Sequence, residues 1–383
     1  MRLPVYLDWN ATTPVDPRVL EAMLPCFSED FGNASSTSHA YGWKAEARVR
    51  LARAAVASAI GAAPEEIVFT SGATESDALA LLGAARANRD RGDHLVVAAT
   101  EHRAVLDHAR RLESEGFRLT LVPPRADGRI AAATVASALT DRTLLVSVMA
   151  ANNETGALNP VGEIGALCRE RGVLFHTDAA QALGKVPLDV RAIGVDLVSL
   201  SAHKACGPKG VGALWVRSGK PRVRLEAQLL GGGHERGLRS GTPNVPAIVG
   251  FGEAARIAAA ELATEPARLR ALRDRLEAEI LAGVPGARRN GPGAERLPNT
   301  LNVLFPGVEA GRLMLEARDL AVSSGSACSS ASPEPSHVLV AMGLSAAEAR
   351  SSIRISLGRF TTEEEVGFAA GALLSAWRSL SAS

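Results

Sequence analysis

The chain of 383 residues lacks most of what would place it outside the cell, in a membrane or on a nucleic acid. Its four cysteines, Cys26, Cys168, Cys206 and Cys328, show neither CxxC pairing nor the spacing of metal ligands. No disulfide framework and no metal centre are therefore expected, and a reduced, cytoplasmic setting is. Lysine plus arginine number 42 against 41 for aspartate plus glutamate, which gives no general attraction to nucleic acid or to an anionic membrane. Every apolar run is broken by charge or glycine before it reaches a membrane-spanning length. Met1–Asp8 has no basic stretch leading into an apolar one, so no secretory leader is expected. Internal repeats, low-complexity tracts and charged tails are also missing. What is present, 46% hydrophobic and 22% charged residues, suits a soluble globular enzyme. The length favours a large domain with a smaller one beside it.

Short apolar or β-branched runs alternate with Ala/Leu/Arg-rich stretches of helical period. Strands are predicted at Glu66–Thr70, His94–Ala99, Phe117–Val122, Thr143–Ala150, Val173–Asp178, Asp196–Ser201 and Gly212–Val216. Helices are predicted at Trp43–Ile60, Glu75–Asn88, Ala104–Glu115 and Val161–Arg171. That alternation implies an α/β fold with a mainly parallel, seven-stranded sheet covered on both faces. After about Thr242 the texture changes. A long helix is expected over Ala247–Ala282, then a Gly/Pro-rich break at Gly283–Pro298, an apolar segment at Thr300–Phe305, a helix near Ala310–Ala317 and a last helix from about Thr362. The large domain is therefore set at residues 16–255, and a small α/β domain at residues 1–15 and 256–383.

In open α/β sheets ligands lie beyond the carboxyl ends of the strands, and the polar clusters of this sequence fall there. Ser199-Leu200-Ser201-Ala202-His203-Lys204 closes an apolar strand with a small cationic tip, followed by the turn Gly207-Pro208-Lys209-Gly210. Alone, Lys204 reads more readily as a surface residue than as a functional one. Phe69 to Ser76 runs a strand into a helix through small residues, and a helix start of this kind suits phosphate. It has neither a Walker lysine nor GxGxxG spacing, which argues against a nucleoside triphosphate. Asp178 ends another strand; a buried acid there needs a cationic or donor partner, which a pyridinium N–H supplies, although an N-cap is an equal reading. His102, in Thr100-Glu101-His102, suits ring stacking and proton shuttling. Asn152-Asn153-Glu154-Thr155-Gly156 adds a polar loop in the same layer. One such loop means little, but four at one edge with one lysine are what a phosphorylated aldehyde cofactor requires.

Taken with Tyr6-Leu7-Asp8, Ala11–Pro14, Gly231–Glu235, Arg239–Thr242, Ser323–Cys328 and Arg354–Phe360, these clusters occur in the order found in the cysteine desulfurases. The sequence resembles that family, part of the class-V aminotransferase group of fold-type I pyridoxal-phosphate enzymes, from residue 3 to about 365. Its Ser-Ser-Gly-Ser-Ala-Cys loop is similar to that of the housekeeping and nitrogen-fixation type. The resemblance implies that Lys204 forms the Schiff base with the cofactor and moves the Cα proton. Asp178 pairs with the ring nitrogen, Gln181 bonds the ring hydroxyl, and His102 stacks on the ring and assists proton transfer. The Ala73 backbone, Thr74, Ser201 and His203 hold the phosphate. Thr242 reaches the phosphate of a neighbouring subunit in an obligate homodimer. Asn153 lies near the ring, and Arg354 binds the substrate carboxylate as a bidentate fork. Two departures stand out. Ala202 replaces a glycine common in relatives, and the sequence stops soon after its last helix, where relatives that dock the iron–sulfur scaffold protein carry a longer tail. The second departure weighs against that docking mode here.

Cys328 sits in Val322–Ser332, a Gly/Ser-rich stretch with almost no core-forming residue. A mobile, exposed loop suits a thiol that attacks sulfur in the active site and carries it outwards. Cys206 lies in the tight Gly/Pro turn and is read as structural, while Cys26 and Cys168 fall in apolar helical contexts and are read as core. The expected reaction converts L-cysteine to L-alanine with a persulfide left on Cys328, destined for iron–sulfur clusters or other sulfur cofactors through an acceptor protein. Two other readings stay open: a lyase for selenocysteine or another β-substituted amino acid, and a catalytically silent homologue acting as a scaffold.

Overall fold

The computed structural model describes residues 1–220, 222–324 and 334–382. Seven strands form the central sheet: β1 (Ile67–Thr70), β2 (His94–Ala98), β3 (Arg118–Val122), β4 (Thr143–Ser147), β5 (Leu174–Asp178), β6 (Leu197–Ser201) and β7 (Gly212–Val216). Their spatial order is β1-β7-β6-β5-β4-β2-β3. β7 runs antiparallel to both neighbours and every other pairing is parallel. The central strands are buried from end to end, because helices cover both faces and leave no solvent side to demand alternation. Only β3, at the edge, is largely in contact with solvent. All seven predicted strands are found. The fold is the expected α/β architecture.

One long element differs from expectation. The stretch expected as a single helix over Ala247–Ala282 is two helices, Val245–Glu261 and Glu265–Gly283. Pro266 stands in the first turn of the second. Its ring carries no N–H to continue the ladder, so the chain must restart there.

The second helix packs with the terminal helix Glu363–Ser381 over a three-stranded antiparallel sheet of β8 (Arg288–Arg289), β9 (Thr300–Leu304) and β10 (Ser352–Ser356), in the order β10-β9-β8. Leu272, Leu276, Ile280, Leu301, Val303, Ile353 and Leu373 form part of this apolar cluster, each worth about 1.5–3 kcal/mol of burial. Val5 and Leu7 belong to the same cluster, and Val5–Tyr6 pairs in parallel with Leu320–Ala321. Thr362 and Glu365 start the terminal helix as a reciprocal capping box.

The segment from Asp8 to Thr13 stitches the two clusters together. Asn10 Nδ2 donates to Thr300 Oγ1 at 2.8 Å, and its backbone N–H to Ser356 Oγ at 2.9 Å. Thr13 donates from both its N–H and its hydroxyl to the carbonyl of His203. Among the described residues no helix is long and apolar enough to cross a membrane, and no cluster of His, Cys, Asp or Glu could hold a metal ion.

Candidate active site

A cavity of 890 Å³ opens at the carboxyl ends of β1, β4, β5 and β6. Its wall takes Ser71–Thr74 after β1, His102 after β2, Met149, Ala151 and Asn153 after β4, Asp178 at the end of β5, and Ser201, His203 and Lys204 after β6. Loops widely separated in sequence are thus brought to one place by strand order alone.

At the mouth of β1, Gly72 adopts φ +153, in a region L side chains rarely enter, and a Cβ built there would meet nothing within 4 Å. The helix Ala73–Ala78 begins directly after it, so the first N–H groups, those of Ala73 and Thr74 among them, face the cavity without partners inside the helix. Ser71 is held by Glu75, whose carboxylate in turn pairs with Arg239 at 2.9 Å.

The floor is acidic. Asp178 is 5% exposed, and its Oδ1 accepts the Ala180 N–H at 2.8 Å. Burial first, and then the charge of nearby Asp77, push its pKa up to about 6. Asp77 is fully buried and neither of its oxygens has a hydrogen bond among the described residues; His176 Nε2 lies 3.5 Å from its Oδ1. Glu101 accepts the Met149 N–H through Oε1, leaves Oε2 without a bond, and is driven well above the usual carboxylate range by burial.

Lys204 enters from the opposite side. Its Nζ donates to the carbonyls of Asn10 and Ala11 at 2.6 and 2.7 Å. Gln181 Nε2 donates to the same Asn10 carbonyl at 2.8 Å, and Gln181 Oε1 accepts from Lys185 Nζ at 2.8 Å. A carbonyl only accepts, so the bond to Asn10 fixes which end of the Gln181 amide is nitrogen. Burial, reinforced by Lys204, brings the Lys185 pKa down to about 7. His203 Nδ1 lies 3.1 Å from Thr12 Oγ1, and burial lowers its pKa to about 4, so the ring is neutral. His102 caps the helix Arg103–Ser114 by accepting the Ala104 N–H at Nδ1, which places the proton of the neutral ring on Nε2.

The far wall belongs to β10. Arg354 is 1% exposed; Nη1 donates to the Asn153 carbonyl at 3.1 Å and Nη2 pairs with Asp8 at 2.6 Å. Its Nε has no hydrogen-bond partner among the described residues.

Ala73, Thr74, His102, Asn153, Asp178, Gln181, Ser201, His203, Lys204 and Arg354 all reach this one cavity. Thr242 does not; it is exposed and outside the wall. Cys328 lies outside the described residues. Both described flanks of its segment are anchored at the cleft. Ser323 forms a backbone bridge with Arg354, while Ser336 donates to Glu154 and His337 Nε2 lies 3.0 Å from the Glu101 carbonyl. The other cysteines are buried, as expected. Cys206 sits at φ +60, and burial raises the pKa of its thiol, which keeps it protonated and unreactive. Sequence reasoning missed Asp77, Lys185 and the carbonyl of Asn10. Asp77 follows Thr74 by three residues and so shares its helix face, a signal that was legible; the other two depend on tertiary packing.

A family model for class-V aminotransferases matches residues 5–368. A cysteine desulfurase of an Anaeromyxobacter species is 59% identical over 366 residues, covering 96% of this chain and 90% of that one. The chain belongs to the class-V aminotransferase family. Among solved structures, a NifS-like protein superposes with a TM-score of 0.90 at 39% identity over the full length of both chains. A protein titled SspA, in complex with cysteine, gives 0.82 at 39% identity, covering 93% of this chain and 99% of that one.

Pyridoxal phosphate is the cofactor of this family, and the residues present fit it. Asp178 is buried in the cavity wall, where it accepts the Ala180 N–H, and a protonated ring nitrogen would compensate it. The glycine-led helix start offers N–H groups to a phosphate. Lys204 supplies an amine for the aldehyde, and Gln181 supplies an amide whose orientation the Asn10 carbonyl fixes. The donor set answers each end of the cofactor.

Proposed function

We propose that this enzyme is a cysteine desulfurase that converts L-cysteine to L-alanine and retains the sulfur as a persulfide on Cys328. The observation that carries the reading is the meeting of Lys204, Asp178, His102 and Gln181 in one cavity whose opposite wall presents the buried guanidinium of Arg354. Bound pyridoxal phosphate supplies an electron sink for the pair left when the Cα proton is removed.

The chain's own groups do the rest. Asp178 keeps a carboxylate at the floor, where a cation is favoured. Ala73, Thr74, Ser201 and His203 hold the phosphate, His203 as a neutral ring. Lys204, steered by two carbonyls, takes the Cα proton and later returns it. His102 covers the ring face and exchanges protons through Nε2. Arg354 turns its remaining donor to the substrate carboxylate, with Asn153 and Asp8 fixing its plane. The Cys328 thiolate then forms an S–S bond to the substrate sulfur as the carbon–sulfur bond breaks. Enzyme thiol plus cysteine gives enzyme persulfide plus alanine, with no external oxidant.

The same reading sets the domains at residues 16–255 and at 1–15 with 256–383, on the separation of their apolar clusters. It makes the enzyme a cytoplasmic homodimer that passes sulfur to an acceptor protein for iron–sulfur or other cofactor assembly. Support for a dimer comes from Leu230, 85% exposed, beside exposed Leu229, and from Thr242 turned away from its own cleft.

The test is Cys328→Ser. Alanine formation should vanish while the cofactor absorbance stays, and mass spectrometry of the parent enzyme after exposure to cysteine should show one added sulfur on the Cys328 peptide. Full turnover by the variant removes the thiol from the mechanism.

A further inference from the structure

A second cavity, of 700 Å³, lies along the seam between the two apolar clusters and shares no wall residue with the catalytic cleft. One side is apolar, with Val161, Val186, Leu188 and Ile193. The other carries four guanidiniums, Arg270, Arg273, Arg289 and Arg296.

Their compensation is uneven. Arg273 pairs with Asp274 at 2.6 Å and donates to the carbonyls of Leu297 and Thr300. Arg289 pairs with Glu277 at 2.7 Å, yet its Nε is buried without a bond. Arg296 is 9% exposed and has no carboxylate partner; Nη2 donates to the Gly291 carbonyl and Nη1 donates to nothing among the described residues. Arg270 is exposed and pairs with no acid there. Glu295, the other acid in the wall, is exposed.

A guanidinium cannot shed its charge near neutral pH. A buried one without a counter-charge is unfavourable unless something anionic joins it. Burial first, then Arg289 and Arg273, pull the Arg296 pKa down to about 10, against a smaller opposing pull from Glu277 and Asp274. Planar forks side by side match the oxygens of a carboxylate or phosphate.

We infer that this cavity binds a small polyanion bearing carboxylate or phosphate groups, held chiefly by the guanidiniums of Arg296 and Arg270. Neither cysteine nor pyridoxal phosphate is its ligand, since both belong to the other cavity. The occupant would clamp the seam. Leu158 N–H donates to the Glu295 carbonyl at 2.9 Å and Leu297 N–H to the Gly156 carbonyl at 2.8 Å. That hairpin continues into Asn153 and Glu154 of the catalytic wall.

The experiment is calorimetric titration of the cofactor-loaded enzyme with citrate and, separately, with inorganic phosphate, at an ionic strength held constant with chloride. Saturable binding of at least one is expected, and which one binds assigns the oxyanion. Arg296→Leu should weaken it about 30-fold or more, as expected when one member of a buried charge pair is removed. Arg270→Gln, at an exposed position that leaves folding intact, should weaken it as well. Cofactor absorbance checks that each variant is folded. The inference is overturned if neither anion saturates, or if Arg270→Gln binds as tightly as the parent, whether or not Arg296→Leu can be purified.

Discussion

The two sides of the catalytic cleft are built with opposite electrostatics. The floor, at the ends of the central strands, gathers Asp77, Glu101 and Asp178 in near-complete burial with almost no cation of the chain's own. The rim, where residues 8–13 and β10 close over it, gathers Lys204 on the carbonyls of Asn10 and Ala11, Lys185 on Gln181 Oε1, and Arg354 on the Asn153 carbonyl and the Asp8 carboxylate. Asp178 and Lys204, both in the cavity wall, are held apart, the arrangement of a site preorganised for a ligand that is cationic at one end and anionic at the other. The difference teaches that the fold tolerates two local deficits because the cofactor and substrate fill both.

That contrast can be broken from either side. The largest effect is expected at the rim. Lys204→Ala should lower alanine formation by ~10²- to 10⁴-fold, the range for a positioned proton-transfer group, measured by single-turnover kinetics with the fold checked by circular dichroism. A loss below tenfold would mean another base carries the proton.

At the floor, Asp178→Asn should act in two directions at once. Removing a carboxylate whose pKa stands near 6 rather than 3.8 should stabilise the cofactor-free protein by on the order of 2–3 kcal/mol near neutral pH, read from denaturant unfolding. Cofactor retention should fall in the same variant. In the parent, retention should weaken as pH drops through about 6, because the protonated acid no longer favours a cationic ring. A variant that loses stability together with cofactor would show that the acid is structural.

Lys185 gives a smaller, pH-dependent signal. Its folded pKa of about 7 lies below the ordinary lysine value of 10.5, so between these limits the unfolded chain binds more protons and stability rises with pH. Lys185→Met should flatten that slope and loosen Gln181, raising the KM for cysteine more than it lowers kcat. An unchanged slope from pH 7 to 10 would contradict the burial of the amine.

The smallest effect is expected at Cys206→Ala. Both residues suffer the same φ of +60, and the loss is limited to about 1 kcal/mol of packing, with turnover unaffected. A collapse of activity would make this thiol a rival to Cys328.

Much of the cleft was legible in the chain. A strand end followed by small polar residues is a local signal, and Thr70–Thr74, Asp178 and Ser201–Lys204 carry it because geometry requires short side chains where a helix or turn begins beside a ligand. The failure at Ala247–Ala282 was also local: helical period continues straight through Pro266, and only the missing N–H stops the helix. Periodicity cannot see one absent hydrogen bond.

The sequence by itself determined the seven strands of the central sheet and the elements between them, because apolar period and turn chemistry act within a few residues. Only the tertiary structure decided that the Asn10 carbonyl steers both Lys204 and Gln181, and that Asp77 joins Asp178. Those relations are set by strand order and by the packing of the N-terminal segment between two apolar clusters, and residues more than 150 positions apart meet through no local rule.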